Sequence, residues 1–186
     1  MRTIADHILD IASNSITAKA DEVRLAITQD TGRHIIVFVV RDNGCGMTAE
    51  VQRQVFDPFF TTRSHKVRRF GLGLPFLREN TELTGGGVVL ASRIGAGTTV
   101  CATFHADNID CLPLGDIPST LFALLIADPA VSWDIRRKHD NLVYTVKTSE
   151  LRSVFTADEL TDPKVQMLLL GFLRELEQGV VGNEKL

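Results

Sequence analysis

The chain opens with a carboxylate and an amide one helical turn apart. Asp10 and Asn14 stand at i and i+4 in Leu9-Asp10-Ile11-Ala12-Ser13-Asn14, a spacing that sets both on one face of a helix. A carboxylate can orient or deprotonate a water or hydroxyl, and an amide oxygen is a good ligand for a hard cation such as Mg²⁺. The same pair also suits the solvated side of an amphipathic helix. A second acid, Asp42, ends a β-branched run and leads into Asn43-Gly44-Cys45-Gly46-Met47. From a strand end it can accept a hydrogen bond from an exocyclic amine, and glycines at 44 and 46 let the backbone approach a flat ring closely. Asp-Asn-Gly also makes a tight turn. The third element is Gly71-Leu72-Gly73-Leu74, preceded by Asp57-Pro58-Phe59-Phe60-Thr61-Thr62-Arg63. Glycines entering a helix expose backbone N–H groups beside its partial positive charge, where a phosphate can sit. Arg63, Lys66, Arg68 and Arg69 add counter-charge.

The elements that must carry these residues follow from periodicity. Residues 3–19 read as a helix, with Ile4, Ile8, Ile11, Ala12 and Ser15 at helical spacing and neither Gly nor Pro. Val23–Ile27 alternates, Thr31-Gly32 marks a turn, and residues 34–40 are a continuous β-branched run, together a hairpin. Thr48 caps a short helix over 48–55, and residues 72–84 form another that Gly85-Gly86-Gly87 ends. Strands at 88–93 and 98–104 follow. The tail reads as a helix over 116–127, a hairpin of 131–138 and 142–148 around Asp140-Asn141, and an amphipathic helix over 163–178. The expected architecture is α+β, a two-layer sandwich of helices on one face of a mixed, mostly antiparallel sheet. The stretch 107–118 is the expected junction between a core of residues 1–106 and a C-terminal extension, 107–186.

Composition bounds the function. The chain has 186 residues, a formal charge of −3, 44% apolar and 23% charged residues, the balance of an ordinary globular protein rather than a disordered one. Residues 1–104 carry +2 and residues 105–186 carry −5; a weakly acidic whole argues against a general nucleic-acid binder. No apolar run approaches a membrane span, and the first residues do not form a signal peptide. Cys45, Cys101 and Cys111 lack metal-ligand spacing and read as reduced thiols in a cytoplasmic protein, Cys45 as a small buried filler. His7 reads as a residue flanking the site or on the surface, and Lys147 and Lys164 as surface charge.

In this order the motifs resemble the GHKL superfamily, the ATP-binding domains of type II topoisomerases, heat-shock chaperones, histidine kinases and MutL-type proteins. The segments 14–20 and 41–47 are similar to the mismatch-repair branch. Phe56-Asp57-Pro58-Phe59-Phe60-Thr61-Thr62-Arg63 with Gly71-Leu72-Gly73-Leu74 looks like the histidine-kinase branch, and Gly95-Ala96-Gly97-Thr98-Thr99 matches the family's last motif. The resemblance implies a Bergerat-type fold over about residues 3–104, with ATP and Mg²⁺ as ligands. Carried over, Asn14 coordinates Mg²⁺ and Asp42 accepts from the adenine amino group, with Gly46 and Thr98 helping through a water. Gly44 and Met47 line the nucleotide, Gly71, Leu72, Gly73 and Leu74 meet the phosphates, and Arg63 lies on a lid. Asp10 takes the place of the acid that activates the attacking nucleophile.

Three departures bear on activity. The family's acid is usually Glu, and Asp10 is a methylene shorter, a retreat of about an ångström that can cost ~100-fold in rate. Arg69 stands where the glycine motif usually begins, and only seven residues separate Arg63 from Gly71. These point to ATP binding more strongly than to hydrolysis. The first motif starts within ten residues of Met1, so no phospho-acceptor domain is expected ahead of it. The expectation is an Mg-dependent regulatory kinase, ATPase or nucleotide switch acting on a partner protein, or a non-catalytic ATP-binding scaffold. Leu168, Leu169, Phe172, Leu173 and Leu176 form a stripe suited to a partner, to a homodimer or to the chain's own core.

Overall fold

The structure, a computed structural model, describes residues 1–58, 72–156 and 159–182. Its centre is a six-stranded sheet of β1 (Glu22–Asp30), β2 (Ile35–Asp42), β3 (Gly87–Arg93), β4 (Gly97–His105), β5 (Ser132–His139) and β6 (Leu142–Lys147), in the order β3-β4-β2-β1-β5-β6. All neighbours are antiparallel except β1 and β5, which run parallel with Leu25 opposite Ile135. Alternation turns Val23, Leu25, Ile27, Phe38, Val40, Ala102, Phe104, Trp133 and Ile135 to the buried face. There they meet α1 (Ile4–Thr17), α3 (Gly73–Leu83), α4 (Ile117–Ala127) and α6 (Pro163–Val181) in a single core. Two short helices, α2 (Ala49–Gln54) and α5 (Thr148–Val154), complete the described helices together with a 3₁₀ turn over Glu159–Thr161.

The α+β architecture and most element positions match the sequence reading; α5 was not anticipated, because its seven residues are too few to show a period. The tail adds two strands to the same sheet and its helices share the same core. The expected junction is itself packed: Ile4 and Ala5 N–H groups donate to the Pro113 and Leu114 carbonyls, and Leu112 and Leu114 lie against the core.

Helix α1 starts sharply because Thr3 and Asp6 form a capping box, the Thr3 hydroxyl accepting from the Asp6 N–H and the Asp6 carboxylate from that of Thr3. Its inward stripe carries His7, which is wholly buried rather than on the surface. The ring lies 6.5 Å from that of Phe104, and Nε2 faces Asn80 Nδ2 of α3 at 3.1 Å. Burial lowers the His7 pKa to about 4. An unfolded chain therefore binds a proton that the folded one refuses between pH 6.5 and about 4, so this group costs stability as pH falls through that window. Denaturant midpoints measured across it should decline with acid, and His7→Gln should flatten the decline by one proton's worth; an unchanged slope would assign the acid sensitivity elsewhere.

A polar cluster fastens α6 to the sheet. The fully buried Arg137 on β5 donates from Nε and Nη2 to Glu177 Oε1 on α6, at 3.1 and 3.0 Å. Its Nη1 reaches the Lys138 carbonyl at 2.8 Å and its Nη2 also reaches Gln29 Oε1 at 3.0 Å. The Tyr144 hydroxyl donates to Glu177 Oε2 at 2.8 Å; burial first, and the Glu177 charge second, raise its pKa and keep it protonated.

Candidate functional site

Helix α1, the loop after β2 and the start of β4 meet at Asp42. Its Oδ2 accepts from the Ser15 hydroxyl at 3.0 Å, while Oδ1 accepts from the Gly44 N–H at 2.9 Å and the Thr98 N–H at 3.2 Å. Three segments far apart in sequence are thus tied to one carboxylate. Ser15 follows Asn14 directly, and Asp10 is one turn earlier; both Asp10 and Asn14 are half-buried.

The loop from Asp42 to Met47 is clamped onto the β3–β4 turn. The Gly95 N–H donates to the Cys45 carbonyl at 2.9 Å, and the Met47 N–H to Ser92 Oγ at 2.9 Å. Ser92 Oγ lies 3.0 Å from the Gly97 carbonyl and 2.9 Å from Thr98 Oγ1. A hydroxyl has one proton; spent on the Gly97 carbonyl, it makes Thr98 the donor to Ser92 and leaves Thr98 lone pairs as acceptors. Gln52 of α2 grips β3 from outside, Nε2 to the Ser92 carbonyl at 2.8 Å and Oε1 from its N–H at 3.2 Å.

Two glycines here are set by the protein's own contacts. Gly46 has φ +67 and a side chain on it would overlap the Arg93 carbonyl; Gly97 has φ +85 and would overlap that of Asp42. Gly44 likewise lies tight against Ala18. The glycine pattern of this loop is therefore explained by loop-to-hairpin closure before any ligand is considered. Cys45, between them, is exposed rather than buried; its neighbours' contacts all run through the backbone, leaving the thiol outside.

Helix α3 begins at this cleft. A side chain at Gly73 would overlap Asp10 Oδ2, so the glycine lets the helix start against that carboxylate. Leu72 offers no side-chain cap and there is no acid in the first turn. Pro75 has no N–H, so the Gly73 and Leu74 amides head the helix, the arrangement that favours an anion. Leu72 and Leu74 are half-buried. Arg63 and Gly71, with Lys66, Arg68, Arg69 and the flanking Phe59, Phe60 and Phe70, lie outside the described residues.

Structure thus gathers Asp10, Asn14, Asp42, Gly44, Gly46, Met47, Gly73 and Thr98 into one region. It adds Ser15, Ser92 and Gln52, which sequence reasoning missed. Ser15 was legible as a polar residue on the inward stripe of α1, which it shares with His7, and Ser92 as the cross-strand partner of Thr98. Among the described residues no three His, Cys, Asp or Glu side chains gather to hold a metal, and no helix is long and apolar enough to cross a membrane.

The family model for histidine kinase-, DNA gyrase B- and HSP90-like ATPases matches residues 2–108. The chain belongs to this family. Among its relatives are the sensor kinase CckA of Brucella abortus, 36% identical over 80 residues, and the histidine protein kinase DivJ of Caulobacter vibrioides, 30% identical over 101. These alignments take in 43% and 53% of this chain but only 8% and 17% of those proteins. This ATPase-family member is also similar in fold to the N-terminal domain of a DNA repair protein, with a TM-score of 0.59 at 14% identity, over 86% of this chain and 59% of that one. That likeness concerns the fold alone, and it extends past residue 108 into the tail.

Proposed function

We propose that the cleft between α1, the 42–47 loop and the start of α3 binds Mg·ATP. The observation that carries this is the Asp42 carboxylate, held by Ser15, Gly44 and Thr98 beside a helix turn bearing Asp10 and Asn14, with Asp10 against the start of α3 at Gly73. An ionised carboxylate has about four acceptor sites, and three protein hydrogen bonds leave capacity for an exocyclic amino group. The donor set at the other end, amides of Gly73 and Leu74, has the chemistry for phosphate.

Asp42 accepts from the adenine amino group, with Gly46 and Thr98 sharing a water and Gly44 and Met47 walling the ring. Asn14 supplies one amide oxygen to Mg²⁺, which ordinarily takes few protein ligands and completes its shell from phosphates and water. Gly71, Leu72, Gly73 and Leu74 offer backbone N–H groups to the phosphates, and Arg63 adds counter-charge. ATP supplies the transferable phosphoryl group; Asp10 orients the attacking hydroxyl or water, and the rest of the site positions and neutralises. The chain acts on a partner protein in the cytoplasm, as a regulatory kinase if the partner takes the phosphoryl group, or as an ATPase or nucleotide switch if water does or no transfer occurs.

Incubation with γ-labelled ATP, alone and with co-purifying proteins, tests the reading: released or transferred label supports it, and a thermal midpoint that Mg·ATP raises no more than Mg·GTP sinks the adenine assignment. Asp10→Ala separates catalysis from a non-catalytic scaffold. ATP affinity should survive while turnover or phosphotransfer falls at least ~10-fold; unchanged turnover would remove Asp10 from the mechanism.

A further inference from the structure

Helix α6 has two apolar faces, and among the described residues the core uses one. Leu169, Leu173 and Val180 are buried in the core. On the opposite side Met167, Leu168 and Phe172 are 75, 67 and 47% exposed, so the leucine-rich stripe of the sequence is divided between core and solvent. The same outward side carries Gly171 and Gly179, where an added side-chain carbon would meet no atom within 4 Å. Glycine inside a helix weakens it, and at neither position do the described residues fill the space. The outward seam, Lys164-Leu168-Gly171-Glu175, follows the 4-3-4 spacing of helix-pairing positions, and both charged ends are exposed.

We infer that this seam pairs antiparallel with the same seam on a second copy of the chain. About a two-fold axis near the middle of α6, Lys164 faces Glu175 of the other copy and Leu168 enters the gap at Gly171, while Met167 closes one flank of the seam and Phe172 the other. Each contact occurs twice, as a self-complementary interface requires. A parallel pairing would set Lys164 against Lys164 and Glu175 against Glu175, so charge selects the antiparallel one. A 19-residue helix is about 28 Å long, which gives an interface at the small end of the specific class and a dimer with Kd on the order of 1–100 μM. The inference is independent of nucleotide.

Sedimentation of the full chain between about 5 and 200 μM, without ATP, is the test. The wild type should pass from monomer to dimer across that range. Leu168→Glu, at an exposed position, should raise Kd at least ~10-fold. Gly171→Ala should raise the thermal midpoint by about 2–4 °C yet weaken dimerisation. Lys164→Glu and Glu175→Lys should each weaken it about 3- to 10-fold, and the double reversal should restore it. A wild type that stays monomeric at 200 μM, as it would if a different protein covers this face, overturns the proposal. So does a dimer indifferent to Leu168→Glu, or one that the double reversal fails to rescue.

Discussion

Asp42→Asn is expected to weaken ATP binding by about 30- to 150-fold while leaving the protein folded. Asparagine keeps an oxygen where Oδ1 accepts from the Gly44 and Thr98 amides, and Ser15 can turn its hydroxyl to accept where it now donates. The loop-to-hairpin closure therefore persists. What changes is the face offered to an adenine amino group: an anionic acceptor becomes an amide that also presents N–H. A charge-assisted hydrogen bond is lost and a donor is set against a donor, about 2–3 kcal/mol together. Titration calorimetry with ATP and GTP reads the outcome, and the preference for ATP should collapse along with affinity. Binding within threefold of the wild type, with an unchanged thermal midpoint, would take adenine recognition away from Asp42.

Glu177→Ala should be the most destabilising single change in the tail, by roughly 3–5 kcal/mol, because it strands a buried guanidinium. Arg137 is fully buried, and although the Lys138 carbonyl and Gln29 remain as acceptors, neither carries charge. Tyr144 loses its acceptor in the same step. For a urea slope of ~2 kcal/mol/M the midpoint falls by about 1.5–2.5 M. The paired replacement Arg137→Met with Glu177→Leu should lose much less, since no lone charge stays behind. A shift of less than about 0.5 M for Glu177→Ala would show that α6 is held by its leucines and not by this cluster.

Much of the fold was readable because its elements advertise themselves. Thr3 and Asp6 mark the start of α1, the triple glycine ends α3, and the β-branched run of β2 delivers Asp42 at its last residue. Pairings between distant segments leave no such trace. Nothing local in Val131–His139 says that it lies beside β1, so the tail was read as an extension rather than as part of the sheet's order. Buried polar residues were the other blind spot: His7 and Arg137 look like surface residues until their partners, Asn80 and Glu177, are placed. At the site, the motif residues were legible, but Gly44 and Gly46 were read as room for a ligand or a tight turn, when Gly46 is required by the backbone of the hairpin it touches. Ser92 and Gln52 escaped because each acts through a partner on another strand or helix.

The parallel register of β1 with β5 has a consequence for how the chain is made. β1 acquires β2 within a few residues of synthesis, but its other neighbour, opposite Glu22 at Ser132, leaves the ribosome about 110 residues later. Until then the half of the molecule that carries the Asp42 loop ends in a naked strand edge, β1, open to stray pairing with other nascent chains. Completion of the cleft's scaffold therefore waits on the synthesis of β5.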